Sequence, residues 1–347
     1  MNRPFLSKPL EHYLSILQKM QGIKIGVAGD LVLDRYVFGT PRRLSRESPI
    51  PIIEYEDERI VCGGMANVTF ALSALGTSPT PFGVIGKDDD GVALKSLLAE
   101  KGIDTRWVFE AEGYRTVTKT RVMAGGLHTA KYQVARIDRG SPLKNQNALL
   151  ERIALAIERH RDAVAWLASD YGYGVVKGAV EQILKRKFSQ GVLVIANSRY
   201  RIHEFSHITA VTLNEEEALE FGKCILNFET DVNRIGTSML EVLHLKSVLI
   251  TQGGQGMTLF LPQQAPEKIP VVGTTDIVDV SGAGDMVVTT FTAALAAGAD
   301  FLSAAELANV AASIVVMKRG TAVAHSYEIE KRLKEVAGDG GDCARQE

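Results

Sequence analysis

Residues Asp276–Val288 read DIVDVSGAGDMVV: strand-like residues run into Ser281-Gly282-Ala283-Gly284, and an alanine-rich helix follows. Small residues at that junction let the backbone approach a ligand closely. The free N–H groups and the dipole at the helix start favour an anion. Asp285 falls in the first turn, where a carboxylate would repel a bound phosphate. It fits if it faces a second substrate, orients a hydroxyl there and takes the proton as a phosphoryl group is transferred. The same residues would equally serve as a serine N-cap with an aspartate stabilised by the helix dipole. No G-x-x-x-x-G-K-[ST] occurs in the chain, and the motif lies too late for the G-x-G-x-x-G of a first βαβ unit.

Upstream, short apolar runs recur with helical patterns between them. Ile23–Ala28, Thr80–Ile85, Ala163–Ala168, Val192–Ala196, Ala210–Leu213 and Ser247–Thr251 read as strands buried on both faces. Met65–Leu75 and Gly91–Lys101 read as helices, and the N-terminal twenty residues as a short amphipathic one. The alternation predicts an α/β fold around a mostly parallel sheet. Two stretches break the rhythm: 35–61, with no helix pattern and three prolines, and 113–138, which reads as two strands around Gly125–Gly126. Together they predict a small β-sheet lid on a single domain spanning 1–337, with a mobile tail at 338–347.

The 347 residues carry a net charge of −2, and the basic residues are scattered, which argues against a nucleic-acid partner. No apolar run approaches the ~20 residues that span a bilayer, and the N-terminus lacks a secretory pattern. Cys62, Cys224 and Cys343 show neither disulfide nor zinc spacing. A cytoplasmic enzyme with no membrane partner is the expectation.

Asp279–Asp285 (DVSGAGD) and Cys62–Val68 (CGGMANV) resemble the two signatures of the PfkB/ribokinase family of sugar kinases, in the right order. The resemblance covers roughly residues 20–330 and implies a ribokinase-like three-layer sandwich with a β lid. Gly29–Asp34 (GDLVLD), Arg43–Pro51 (RLSRESPIP), Thr118–Arg121 (TKTR) and Ser169–Tyr171 (SDY) are similar to the heptose kinases of that family. That branch phosphorylates O1 of D-glycero-D-manno-heptose 7-phosphate on the route to ADP-heptose and lipopolysaccharide. Their bifunctional forms also carry a nucleotidyltransferase half, which a separate protein would have to supply here. Dimerisation through the lid is common in the family.

The resemblance implies ATP and Mg²⁺ as cofactors, Asp285 as base, and the backbone of Ser281, Gly282, Ala283 and Gly284 as the phosphate cradle. It assigns Asp30 to the sugar, with Asp34 as a further ligand, and brings Gly63, Gly64 and Asn67 against the same substrate. Lys119 and Arg121 share one face of a lid strand and could clamp a phosphate, or serve only as a solvated edge. Arg43 and Arg46 are similar candidates, and a charged substrate would explain so many cations. Asn214 and Glu217 form Asn-x-x-Glu, a good capping box that in the family also helps hold magnesium through water. Thr251–Gly256 (TQGGQG) resembles the nucleotide loop, with Gly253 and Gly256 letting ATP lie along the backbone; a plain β-turn reads the same way. Asn309 would lie near the adenine and Asp170 on the sugar side. Asn197 stands where relatives often carry an aspartate. Another sugar, sugar phosphate or nucleoside as acceptor, or a non-catalytic sugar-phosphate-binding regulator, are the competing readings.

Overall fold

The computed structural model describes residues 5–126, 131–227, 229–273 and 278–342. The chain runs α1 (Leu10–Lys19), β1 (Lys24–Gly29), β2 (Leu31–Leu44), β3 (Pro51–Gly64), α2 (Met65–Ala74), β4 (Ser78–Gly86), α3 (Asp89–Glu100), β5 (Val108–Ala111), β6 (Val117–Ala124) and β7 (Tyr132–Arg139). Then follow α4 (Asn147–Arg159), β8 (Ala165–Asp170), α5 (Ala179–Ser189), β9 (Leu193–Ser198), β10 (Ala210–Asn214), α6 (Glu215–Ile225) and α7 (Val232–Val242). The last elements are β11 (Ser247–Thr251), β12 (Met257–Phe260), β13 (Glu267–Ile269), α8 (Ala283–Ala296), α9 (Phe301–Val315) and α10 (Ser326–Asp342).

The main sheet has nine strands in the order β13-β12-β11-β10-β9-β8-β1-β4-β5. Pairing is parallel except where β12 turns back on β11 and β13 on β12. Its strands are buried on both faces because helices cover both. In β8, Ala165 and Leu167 enter the core under α1, α2, α8 and α9, while Trp166 and Ala168 enter the one under α4 to α7. That period of two feeding two cores makes the layers three. Trp166 is fully buried and lies over Gly26, where any side chain would strike its ring.

The two stretches that break the pattern form a separate sheet, β3-β2-β6-β7, with β2 parallel to β6 and the other pairs antiparallel. Its two long strands grow directly out of the main body: only Asp30 separates β1 from β2, and β3 runs straight into α2. The buried Asp90, in the first turn of α3, ties the lid down. It accepts from Arg35 (2.6 Å), Thr118 (2.8 Å) and Arg139 (3.0 Å). The turn around Gly125–Gly126 runs into residues 127–130, including His128, which lie outside the described residues. α10 continues to Asp342, into the segment expected as a tail, and 343–347 lie outside the described residues. No helix among the described residues is long and apolar enough to cross a membrane.

Candidate active site

Parallel pairing sets the strand ends in a row. Gly29 lies against Ser169, Asp170 against Ser198, and Asn214 against Thr251. Open α/β sheets bind ligands outside this edge. The N-termini of α2 and α8 meet over it: Asn67 Nδ2, in the first turn of α2, donates to Asp285 Oδ2, in the first turn of α8, at 2.7 Å.

The small-residue loop is built to present N–H groups. Its start is pinned where Val278 and Asp279 N–H donate to the Val316 carbonyl (2.9 and 3.1 Å). The Asp279 carboxylate accepts from Ser281 and Gly320 N–H, both at 2.9 Å. Burial pushes the Asp279 pKa up, but these N–H bonds outweigh it and hold the group below the usual carboxylate value. Gly282 is the left-handed N-cap, φ +84°, a conformation that costs glycine nothing. The N–H groups of Gly282, Gly284 and Asp285 have no partner among the described residues, and Gly284 faces open space. This corrects the four-amide cradle. Ser281 N–H is taken by Asp279, and Ala283 N–H turns back to the Val280 carbonyl at 3.2 Å.

Asp285 is half-buried at the centre. Besides Asn67, the Tyr171 hydroxyl donates to its Oδ1 at 2.6 Å. Burial raises its pKa; the bonds from Tyr171 and Asn67 oppose, Asp34 adds to the rise and Lys119 opposes it, leaving the pKa above the ordinary value. Such a carboxylate can receive a proton from a hydroxyl brought against its remaining lone pairs.

Asp30 and Asp34 meet different surroundings. Asp30 Oδ2 accepts from Tyr171 and Tyr173 N–H (2.8 and 2.9 Å), and Oδ1 from Val175 N–H (3.1 Å). Fully buried and turned towards that loop, its carboxylate anchors the loop. Burial and the neighbouring Asp170 push its pKa up to about 6. Asp34, expected only as a further ligand, ion-pairs with Arg121 at 2.6 Å and lies beside Thr321. Gly63 makes room for it, since a Cβ there would come within 2.6 Å of Asp34 Oδ2. Gly64, φ +53°, turns β3 into α2 and packs on Val32 and the Asp30 carbonyl.

Lys119 and Arg121 do share one face, and it is the inner one. Arg121 spends its charge on Asp34. Lys119 has no ion-pair partner among the described residues; its Nζ lies 5.5 Å from the centre of the Tyr171 ring, and burial lowers its pKa. Arg199, also without an ion-pair partner among the described residues, is near enough to lower it further. Arg43 and Arg46 are exposed at the far hairpin of the lid. The Asp170 carboxylate, expected on the sugar side, is engaged by Ser198 (2.5 Å) and Arg201 (3.1 Å).

Asn214 and Glu217 form the expected capping box, at 2.8 and 2.9 Å. Glu217 keeps Oε1 without a hydrogen bond, and burial raises its pKa, with Asp285 contributing. Thr251 ends β11, and Gly253, φ +53°, and Gly254 face open space. Gly256 does not: a Cβ there would collide with the Ile269 carbonyl oxygen, so it serves the packing of β13. Asn309 is buried and donates to the Pro270 carbonyl at 2.7 Å, fixing the wall beside that turn. Asn197 bridges β9 to the Thr212 carbonyl of β10 at 2.9 Å, a task that needs no charge. Sequence reasoning gave no role to Tyr171 or Thr321. Tyr171 lies in the Ser169–Tyr171 motif, but the reach of its hydroxyl to Asp285 is tertiary and leaves no local sign.

The family model described as pfkB family carbohydrate kinase matches residues 37–326. Among curated proteins, the bifunctional protein HldE of Magnetococcus marinus is 35% identical over 317 residues, covering 88% of this chain and 63% of the relative. The HldE of Caulobacter vibrioides is 34% identical over 327 residues, covering 92% and 65%. The chain thus spans under two thirds of the length of these relatives. Among solved structures, phosphofructokinase-2 from Escherichia coli in complex with potassium matches with a TM-score of 0.74 at 18% identity, over 91% of this chain and 100% of that one. Arabidopsis thaliana ribokinase complexed with ribose and ATP matches with a TM-score of 0.68 at 20% identity, over 90% and 99%. Both confirm the ribokinase-like fold.

Proposed function

The chain belongs to the pfkB family of carbohydrate kinases, and on that premise we propose that it transfers the γ-phosphoryl group of ATP to a sugar hydroxyl with Asp285 as base. The observation that carries this is a carboxylate with raised pKa set beside three unpartnered N–H groups at a helix start. The acceptor O–H gives its proton to Asp285 as its oxygen bonds to the γ-phosphorus, and the bond from phosphorus to the ADP oxygen breaks. The N–H groups of Gly282, Gly284 and Asp285 hold the anionic oxygens, so positioning and electrostatics supply the rate. ATP would lie over Thr251, Gly253 and Gly254, against the wall that Asn309 fixes.

Glu217, half-buried with one oxygen free, suits a hydrated cation, and no cluster of three metal-ligating side chains exists among the described residues for direct coordination. Magnesium bound through water there, beside Asn214, would neutralise charge on the phosphates.

The acceptor we favour is D-glycero-D-manno-heptose 7-phosphate, at O1. Lys119 and Arg199 support a substrate that brings its own anion, because both lack carboxylate partners among the described residues. The resemblance of the lid and first-strand motifs to heptose kinases, and relatives bearing the name HldE, accord with it. The lid also exposes Leu44, Ile52, Tyr55, Tyr132, Val134 and Ile137, which supports a homodimer through that sheet. An ATP donor accords with a cytoplasmic setting.

The test is ADP release with Mg-ATP and a panel of heptose 7-phosphate, fructose and its phosphates, ribose and adenosine. Turnover confined to the heptose phosphate is expected. Turnover on uncharged sugars alone would overturn the role of Lys119 and Arg199. ATP binding with no turnover on any acceptor would favour a regulator.

A further inference from the structure

The loop from Tyr171 to Val175 is held more firmly than a connection between a strand and a helix requires. Asp30 takes three of its N–H groups, Asp170 accepts from Gly172 N–H at 3.3 Å, and Gly172 and Gly174 adopt left-handed φ of +85° and +95°. Asp30 and Asp170 are both buried, and Asp170 is itself fixed by Ser198 and Arg201. Burying two carboxylates is expensive unless their hydrogen bonds are complete. What this frame delivers to the site is one hydroxyl, that of Tyr171.

We propose that Tyr171 is a positioning residue for phosphoryl transfer: its hydroxyl, with the Asn67 amide, fixes the Asp285 carboxylate so that its free lone pairs face the acceptor hydroxyl. The inference rests on the reading of Asp285 as base. Each carboxylate oxygen accepts one donor, at 2.6 Å from Tyr171 and 2.7 Å from Asn67, and each keeps a second lone pair. The carboxylate therefore cannot turn about its bond without breaking both contacts. Short bonds to a charged acceptor are the stronger kind.

Tyr171 does not carry the proton itself. Burial, together with Asp285, holds its hydroxyl far above the usual phenol value, so it remains a donor at every working pH. The charged groups around Asp285 are Asp34 on β2, Lys119 on β6 and Glu217 on α6. Asp34 and Glu217 disfavour the ionised base, whereas Lys119 and the two hydrogen bonds favour it. Losing the Tyr171 bond removes one of the supports.

The experiment is Tyr171→Phe, which keeps the ring and removes the hydroxyl. Expected are a fall in kcat of about 10-fold or more, an acid limb of kcat displaced to higher pH, and little change in KM for ATP. An unchanged kcat with an unchanged pH profile overturns the proposal. The profile is a ratio within one variant, so it reads the folded fraction even if the yield of folded protein drops. Asp285→Asn is measured alongside. If that variant is inactive while Tyr171→Phe behaves as wild type, only the role of Tyr171 fails; if Asp285→Asn retains turnover, the base assignment fails with it.

Discussion

Replacing Asp285 with Asn separates catalysis from stability at one atom. The substitution keeps the shape but removes the proton acceptor, and general-base catalysis contributes about 10²–10⁴ in rate, or roughly 3–5 kcal/mol of barrier at 1.36 kcal/mol per decade. One oxygen becomes an amide NH₂ and meets a donor. Tyr171 can answer by rotating its hydroxyl to accept, whereas Asn67 cannot unless its own amide flips. Against that stands the removal of a charge the fold disfavours. The folded pKa of Asp285 is raised, chiefly by burial, so the ionised group weakens the native state above that pKa and the penalty fades as pH falls. The variant should therefore melt at or above the wild-type temperature at neutral pH, with the difference shrinking under acid conditions. Turnover by ADP release should fall at least a hundredfold while ATP still binds by calorimetry. Turnover within a few-fold of wild type refutes the base assignment. A melting temperature several degrees lower refutes the account of burial.

Lys119→Ala should raise KM for a sugar phosphate by about tenfold or more while sparing an uncharged acceptor; equal effects on both in steady-state kinetics would show that Lys119 does not meet the substrate's anion. Asp30→Asn should remove a pH dependence. Because Asp30 has a folded pKa of about 6 against 3.8, the wild type loses stability relative to the variant as pH rises between those values, and a difference in melting temperature that grows in the opposite sense would refute it. Gly256→Ala, at φ +87° and against the Ile269 carbonyl, should destabilise by about 1–3 kcal/mol in urea unfolding. A neutral result would mean that β13 yields.

Where burial on both faces decides a strand, the sequence reads cleanly. β1, β4, β8, β9, β10 and β11 all fall within a few residues of their apolar runs, since the two cores demand such runs. β5 and β13, short and at the sheet edges, leave little pattern to find. The site was legible where a local motif makes it, as at Gly282 to Asp285 and the Asn214–Glu217 box. It was not legible where distant chain decides. Asp30 and Asp34 are four residues apart in similar surroundings; only the Tyr171–Val175 loop, some 140 residues away, claims the first and leaves the second beside Arg121. Gly253 and Gly256 carry the same left-handed signal, yet one faces open space and the other the backbone of β13. Whether two lysine-or-arginine positions on a strand face are both available depends on carboxylates of the neighbouring strand, and here Asp34 of β2 engages Arg121.

The junctions where β1 passes into β2 and β3 into α2 are the root of a long arm. Leu31 pairs with Gly64 there, and the two fourteen-residue strands form an arm of roughly 40 Å at ~3.3 Å per residue. Asp34 stands three residues from the root, about 10 Å along the arm. A rigid swing about that root that moved the tip by several ångströms would move Asp34 by only a quarter as much. The Asp34–Arg121 ion pair thus sits at the end of the arm that such a swing displaces least.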